Sequence, residues 1–517
     1  MKEIEWIKDM VKICVNNDLS ENDKRNRFEE LSMRYEIFTL NERKLIKKTI
    51  KEQFEVNDQI YLYSVLLFYI AKEEFAESVL DALLLGQFDA CTGSMLELQT
   101  RIYDKVFKNF YQKIRVFHRK NIDRFDENLM IDFPYLDVKS RNKRRIVIVT
   151  EQLISISHSP TSVVFRFAYA LKKMGYEIIL LVCPDNREIS EELWYHNGGM
   201  GAIKRFFSEP LKISYQEELF VGYQIDMSQV CLKEYHMMLS LIHAWNPYFV
   251  LDLGTANPVV DLIEKFTTLV AWEMSISCPV SEAGILIRLG RTDDKLERDY
   301  KEALLENQVQ LFMEENIPVL VEDSSEQCFR SEMKLPEERF LIAIVGNRLD
   351  TDINDTFIAI MQKILDDVSC VDFVIIGEVN DLKMKLDDEI FENRVYYLGY
   401  QKLMKVYRIL DLYLNPDRLG GGFSSAMALI AGLPVVTLPN CDVAYNVGEE
   451  FVVSDYEEMM QTIKRYVSDR KFYEQKVEQA HSYKEKNTDA KMERYVKILL
   501  DKVIRKIEGM EQNDAGI

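Results

Sequence analysis

The stretch NPDRLGGGFSSAMALIAGLPVVTLPN, from Asn415 to Asn440, decides how this sequence is interpreted. It places three adjacent glycines and two serines between a short apolar strand and an apolar segment of helical character. Glycine has no Cβ, so a glycine backbone can adopt positive φ and approach an anion closely. The free N–H groups in the first turn of a helix, together with the helix dipole, then favour a bound phosphate. The pattern indicates a phosphate-binding turn, and its alternative is a tight turn with a serine cap.

Two blocks of alternating strands and helices contain this stretch. The first begins at RIVIVT (145–150), and the second begins near residue 315 with IPVLVE (317–322) and RFLIAIVGN (339–347). Continuous apolar runs of this length are typical of strands buried on both faces of a parallel sheet. Such sheets bind ligands outside the carboxyl ends of their strands. Two sheets that face each other would therefore form a cleft between domains.

The rest of the chain is less uniform. Residues 1 to about 135 show helical periodicity and contain no proline before Pro134, which predicts an all-helical domain of about five to seven helices. For residues 185–235 we expect irregular or inserted structure. The segment SEAGILIRLGR (281–291) precedes the second block and carries no assignment.

Composition limits the classes of partner. The chain has 517 residues, 47% apolar and 29% charged, with a net charge of −20, which disfavours nucleic acid and anionic membranes. Its eight cysteines are scattered without a CxxC pair, which indicates free thiols in a reducing compartment. The N-terminus lacks a secretory apolar core, and the longest apolar run (60–71) is too short to span a bilayer. We therefore expect a cytoplasmic protein without a membrane span.

The order RFLIAIVGNRLD, VDFVIIGE, VYYLGYQKLMKVYRILDLYLNP and GGGFSSAMALIAGLPVVTLP resembles the GT-B glycosyltransferases, which use nucleotide-diphosphate sugars. The resemblance covers roughly residues 145–500. It implies an α/β fold with two facing Rossmann-like βαβ domains behind the helical one. The domains that we predict are an all-α N-terminal domain (1–138), an N-terminal Rossmann-like acceptor domain (144–315), a C-terminal Rossmann-like donor domain (316–500), and a C-terminal helix end and tail (501–517).

The resemblance also implies a donor site in the C-terminal domain. Arg348 would be the cation near the diphosphate, Tyr400 would lie beside the base, and Lys402 would approach the base or the phosphates. The full set of donor-binding candidates is Arg348, Tyr400, Lys402, Gly421, Gly422, Ser424 and Ser425.

One departure from the wider class is informative. Many retaining members carry a glutamate pair around the glycine loop, but the corresponding positions here are Leu419 and Met427. The loop and the helical domain ahead of it look more like the O-GlcNAc transferase family and related bacterial protein glycosyltransferases. That likeness implies an inverting enzyme.

The catalytic candidate is His158, in the loop after the first strand of the first block. An inverting transfer needs a group that removes the proton of the acceptor, and a histidine at the mouth of the cleft is suited to that task. The alternative is that His158 only packs or caps the following helix. Glu151 and Asp252 also lie at strand ends, where they are candidates for the acceptor side or ordinary turn formers.

We expect neither a metal nor a cofactor, because Arg348, Lys402 and the helix dipole can neutralise a diphosphate. The sequence thus predicts a glycosyltransferase that moves a sugar from a nucleotide-diphosphate sugar, with UDP-sugars favoured, to a protein or saccharide acceptor. A catalytically inactive GT-B accessory protein, bound to a partner glycosyltransferase or an acceptor polypeptide, is the alternative. The helical domain is a candidate surface for a homo- or hetero-oligomer.

Overall fold

The computed structural model describes residues 2–16, 18–70, 73–86, 109–151, 153, 158–183, 211–225, 232–254, 257–319, 327–379, 381–387 and 389–514.

The described N-terminal residues form helices, as predicted. They are α1 (Lys2–Val15), α2 (Glu21–Glu36), α3 (Leu40–Gln53), α4 (Val56–Ile70), α5 (Glu73–Leu85) and α6 (Tyr111–Leu129). The long apolar run falls in α4, where Val65, Leu66 and Leu67 are fully buried in the core of this region. Among the described residues, no helix combines the length and the apolar character that a membrane crossing requires.

An eight-stranded sheet follows. Its strands are β1 (Asn142–Thr150), β2 (Glu177–Val182), β3 (Leu211–Tyr215), β4 (Glu218–Gln224), β5 (Pro247–Asp252), β6 (Leu269–Trp272), β7 (Ile285–Arg288) and β8 (Val309–Phe312). The strand order is β3-β4-β2-β1-β5-β6-β7-β8, and only the β3–β4 hairpin pairs antiparallel. The helices of this part are α7 (Ser159–Lys173), α8 (Leu232–Trp245), α9 (Pro258–Asp261) and α10 (Asp294–Glu302).

The second sheet has five parallel strands in the order β11-β10-β9-β12-β13. They are β9 (Phe340–Val345), β10 (Val371–Ile376), β11 (Val395–Gly399), β12 (Leu412–Leu414) and β13 (Val435–Val436). The helices around them are α11 (Leu349–Asp352), α12 (Asp355–Asp367), α13 (Asp381–Lys385), α14 (Leu403–Val406), α15 (Gly422–Ile430), α16 (Asp442–Val447), α17 (Tyr456–Ser468) and α18 (Arg470–His481). The predicted α/β fold with two sheets is confirmed.

The last helix, α19 (Asp489–Asp514), returns from the second sheet to the first and packs against α7. Its Tyr495 is fully buried and stacks on Trp272 of β6, with 6.1 Å between the ring centroids. Lys173 of α7 forms an ion pair with Glu493 at 2.8 Å. The helix runs without a break past residue 500, where the sequence prediction ends the donor domain.

Candidate active site

The glycine turn joins β12 to α15 at the carboxyl edge of the second sheet. Gly420 has a φ of +107° and Gly421 a φ of +80°, values that strongly favour glycine. The amide of Ser425 donates to the carbonyl of Gly421 at 3.1 Å. The amides of residues 422–424 come before this bond in the first turn, where helical N–H groups have no partner within the helix. The turn therefore offers a row of backbone donors to an anion.

A buried arginine that sequence analysis did not single out fixes the shape of this turn. The guanidinium of Arg418 donates to Asp352 Oδ2 (2.8 Å), to the carbonyl of Val345 at the end of β9 (2.6 Å) and to Asn415 Oδ1 (3.1 Å). Burial alone would lower the pKa of Arg418, but the Asp352 carboxylate raises it above its ordinary value. A Cβ on Gly346 would lie 2.4 Å from this guanidinium, so the end of β9 needs glycine there.

Arg348 lies against the same turn. Its Nη2 donates to the carbonyl of Leu419 at 2.9 Å, and a Cβ on Gly420 would lie 3.1 Å from it. Asp352 lies 3.7 Å from the same nitrogen, and about a quarter of the Arg348 side chain is exposed. The positive charge of Arg348 thus borders the row of amides.

The two serines serve the turn itself. The hydroxyl of Ser424 donates to the carbonyl of Gly421 at 2.9 Å and lies 3.1 Å from the hydroxyl of Tyr413. Ser425 is fully buried, and its hydroxyl donates to the carbonyl of Gly422 at 2.9 Å. The expectation that the Ser425 side chain contacts a diphosphate does not fit this geometry, because that side chain has no exposed surface. Ser424 is half-buried and remains a candidate donor-binding residue.

Glycines also line the ends of β9, β10 and β11. Gly377 has a φ of +133°, and a Cβ there would lie 1.9 Å from the carbonyl oxygen of Gly346. Its amide donates to the carbonyl of Gly399 at 2.9 Å. Tyr400 follows with 61% of its surface exposed, and Lys402 is exposed just before α14. This edge therefore leaves open space beside an exposed aromatic ring.

The carboxyl edge of the first sheet has a different character. Glu151 follows β1 and Asp252 ends the neighbouring strand β5, and both are buried. A Cβ on Gly254 would lie 3.0 Å from Asp252 Oδ1 and 3.3 Å from Glu151 Cγ, so the two acceptor-side candidates lie close together. Glu273 follows the next strand, β6, and extends this acidic edge.

His158 immediately precedes α7, at the same edge of the first sheet. The imidazole is half-buried, and its Nδ1 lies 2.9 Å from Thr161 Oγ1. Burial lowers the pKa of His158 below its ordinary value, so the ring is neutral at pH 7. A neutral imidazole can accept a proton from a hydroxyl group.

The glycine turn lies where the two sheet domains meet. Leu419 is buried in the same apolar cluster as Ile276 and Leu289, which follow strands β6 and β7 of the first sheet. Phe423 packs against this cluster and also against the core of the second sheet. The amides of the turn are therefore next to the carboxyl edge of the first sheet.

Asp442, the first residue of α16, bridges the two domains at this point. Its carboxylate accepts the amide of Gly420 at 2.6 Å and the amide of Ile276 at 2.8 Å. Sequence analysis did not identify it, because an aspartate at the start of a helix after a strand is an ordinary helix-capping pattern.

Comparisons with known proteins concern the fold and residues 339–469. Residues 339–469 match the family model Glycosyl transferases group 1. A Thermobaculum terrenum O-GlcNAc transferase mutant has a similar structure, with 12% identity, a TM-score of 0.56 and coverage of 99% of both chains. WaaG, a glycosyltransferase involved in lipopolysaccharide biosynthesis, has 13% identity and a TM-score of 0.42, with coverage of 67% of this chain and 97% of that one. Comparison of the sequence with curated proteins gives no significant match.

The fold and the matched domain define the class. The chain has a GT-B fold preceded by a helical region, and it is a glycosyltransferase. Residues 339–469, which match the group 1 model, hold the glycine turn and Arg348.

Proposed function

We propose that the protein transfers a sugar from a nucleotide-diphosphate sugar, with a UDP-sugar favoured, to a protein or saccharide acceptor. The single observation that carries the proposal is the glycine turn. Its positive-φ backbone, its first-turn amides and Arg348 come together at the junction of the two domains. Backbone donors and a neighbouring guanidinium are suited to a diphosphate.

We assign the diphosphate and the base of the donor from the positions of the surrounding residues. The diphosphate would lie on the amides of residues 422–424, and Arg348 would offset its charge. Tyr400 would stack beside the base in the space that Gly399 leaves open, since no atom lies within 4 Å of a Cβ built there. Lys402 would approach the base or the phosphates from the start of α14.

We propose a single displacement with inversion. The acceptor oxygen bonds to the anomeric carbon, the bond from that carbon to the diphosphate breaks, and the acceptor proton passes to His158. The tautomer that donates from Nδ1 to Thr161 leaves a lone pair on Nε2 for this proton. Proton removal by a positioned base contributes roughly 10²–10⁴-fold to rate. The leaving diphosphate is stabilised by the amides and Arg348.

The absence of a carboxylate at two positions supports inversion. Leu419 and Met427 occupy the positions where many retaining enzymes carry glutamates, and Leu419 is buried in the domain junction. Neither side chain can interact electrostatically with a positively charged sugar intermediate.

The acceptor and metal assignments rest on the charges at the two sheet edges and on the fold. Buried Glu151 and Asp252 form a polar edge that is suited to hydroxyl groups of an acceptor. We favour a protein acceptor because the glycine loop resembles that of protein glycosyltransferases and because the fold is similar to that of the T. terrenum O-GlcNAc transferase over 99% of both chains. Metal independence follows from the charge of Arg348 and predicts full turnover in EDTA.

The test is to incubate the protein with a panel of nucleotide sugars and to follow release of nucleoside diphosphate. We expect release from a UDP-sugar. Ser424→Ala should raise the donor KM a few-fold, since it removes one hydroxyl but keeps the amides. Thr488→Ala, at an exposed position before α19, is the matched control and should leave KM unchanged.

Binding is measured separately by thermal shift. A donor at 100 times its Kd should stabilise the folded state by about 2.7 kcal/mol. No shift with any nucleotide sugar would contradict the proposal and favour the non-catalytic accessory protein. A shift without turnover would place the protein as a nucleotide-sugar binder whose acceptor is missing from the assay.

A further inference from the structure

We propose that Asp442 is a positioning residue that couples the closure of the two domains to the shape of the glycine turn. The inference rests on the proposed function, because it assumes that the turn binds the donor diphosphate. The carboxylate of Asp442 belongs to the second domain and contacts the first.

The carboxylate of Asp442 has donors from both domains. From the second domain, the amide of Gly420 donates to Oδ2 at 2.6 Å. From the first domain, the amide of Ile276 donates to Oδ1 at 2.8 Å, and the hydroxyl of Ser275 lies 2.9 Å from Oδ1 and 3.2 Å from Oδ2. Asp442 is only 5% exposed, so these hydrogen bonds are what compensates the buried charge.

The first domain presents its donors through a specific loop conformation. Met274 has a φ of +56°, an uncommon conformation for a residue with a side chain, and it turns the chain after β6 toward Asp442. The hydroxyl of Ser275 is held in turn by the amide and the hydroxyl of Ser277, at 3.2 and 2.9 Å. Strain of this kind persists only where the surrounding contacts stabilise it.

The second domain holds Asp442 against the glycine turn. Asn446, one helical turn later, donates from Nδ2 to the carbonyl of Asp442 at 3.0 Å. A Cβ on Gly422 would lie 2.2 Å from the same Nδ2 atom of Asn446. Helix α16 and the glycine turn are thus in close contact. A change in the position of Asp442 would move the turn.

The amide that donates to Asp442 also marks the boundary of the proposed anion site. A carboxylate repels a phosphate, so the amide of Gly420 is assigned to Asp442 and those of residues 422–424 to the donor. Hydrogen bonds to an ionised carboxylate are about twice as strong as neutral ones, which suits this contact to fixing the turn. Separation of the two domains would break the hydrogen bonds from Ser275 and Ile276 to Asp442, and the turn would lose that restraint.

Two substitutions test the two sides of the bridge. Asp442→Asn keeps the size of the side chain but leaves one acceptor oxygen for donors that need two. Ser275→Ala removes only the hydroxyl from the other domain. Asp455→Asn, at the N-cap of α17 in the same domain, makes the same chemical change away from the bridge and is the matched control.

We expect Asp442→Asn to raise the donor KM roughly tenfold and to change kcat much less, the size expected from one lost charged hydrogen bond. Ser275→Ala should raise the donor KM a few-fold, and the double variant should be no worse than Asp442→Asn alone. Asp455→Asn should leave the donor KM unchanged. An unchanged donor KM in Asp442→Asn, or effects that multiply in the double variant, would overturn the proposal.

Hydrogen exchange of the segment 415–425 without any ligand separates this proposal from the proposed function. Both Asp442→Asn and Ser275→Ala should speed exchange there, whereas Asp455→Asn should not. If the wild type turns over no nucleotide sugar but Ser275→Ala speeds exchange in this segment, the proposed function fails and the bridge stands. If exchange is unchanged in Ser275→Ala, the bridge fails whatever the activity.

Discussion

The carboxyl edges of the two sheets differ in what they present. The edge of the five-stranded sheet consists largely of backbone: Gly346, Gly377 and Gly399 end its strands, and the glycine turn follows β12. The edge of the eight-stranded sheet presents side chains instead, among them Glu151, Asp252 and His158. In the proposed function, the backbone N–H groups would bind the diphosphate that all nucleotide-sugar donors share, whereas the side chains would distinguish one acceptor from another.

The difference also predicts how each edge responds to mutation. On the glycine edge the damaging change is the addition of a side chain at Gly346, Gly377 or Gly421, where a Cβ would lie 2.4, 1.9 and 2.9 Å from another atom. On the side-chain edge the damaging change is removal of a functional group. Three experiments test this contrast.

The largest expected effect is the loss of turnover in His158→Ala. Without the proposed base, kcat should fall at least about a hundredfold. Donor binding, measured by thermal shift, should be unchanged because the donor lies on the other edge. His236→Ala, on the exposed face of α8, is the control and should keep full activity. Normal turnover in His158→Ala would end the assignment of the base.

The next effect is on donor affinity in Gly421→Ala. The φ of +80° at Gly421 costs a side chain about 1–2 kcal/mol, and the new Cβ would lie 2.9 Å from the buried Arg418 Nη2. We expect the donor KM to rise about tenfold, in line with that strain. Gly509→Ala in α19, where no atom lies within 4 Å of the added Cβ, should change neither KM nor stability by a comparable amount. Equal effects of the two substitutions would remove the contrast between the edges.

The smallest effect is a shift in the pH dependence of kcat/KM. Burial lowers the pKa of His158 in the folded protein, so the neutral base persists below pH 6.5, and activity falls only as the pH drops through this lowered pKa. The unfolded chain binds the proton first, so the contribution of His158 to stability also declines below pH 6.5. An acidic limb with its midpoint above pH 6.5 would contradict the assignment, as measured in a pH series of kcat/KM.

The sequence predicts the elements whose pattern is local. The apolar runs 145–150 and 339–347 become β1 and β9, because a strand buried on both faces needs an unbroken apolar run. The glycine turn is predictable for the same reason, since its three glycines and the following helix are contiguous.

Two segments show where local pattern fails. The unassigned segment 281–291 contains β7, a strand of only four residues that pairs with β6 and β8. The predicted strand 317–322 is wrong over 317–319, the part that the structure describes. There Val319 is buried, but its amide donates to Asn487 Oδ1 instead of a neighbouring strand.

The supports of the candidate site are non-local, which is why the sequence does not reveal them. Arg418 acts through Asp352, 66 positions away, and Asp442 through Ser275, 167 positions away. A single sequence gives no sign of such pairs. The residues that hold the turn in place are therefore found only in the folded structure.

The return of α19 to the first sheet has a consequence for synthesis of the chain. Phe167, Leu171 and Phe249 are covered by Val496, Leu499 and Val503 of that helix. While the chain emerges from the ribosome, this apolar face stays exposed to water until α19 has been made. The first sheet can therefore bury this face only after α19 has been synthesised, and a premature stop near residue 490 would leave the face exposed.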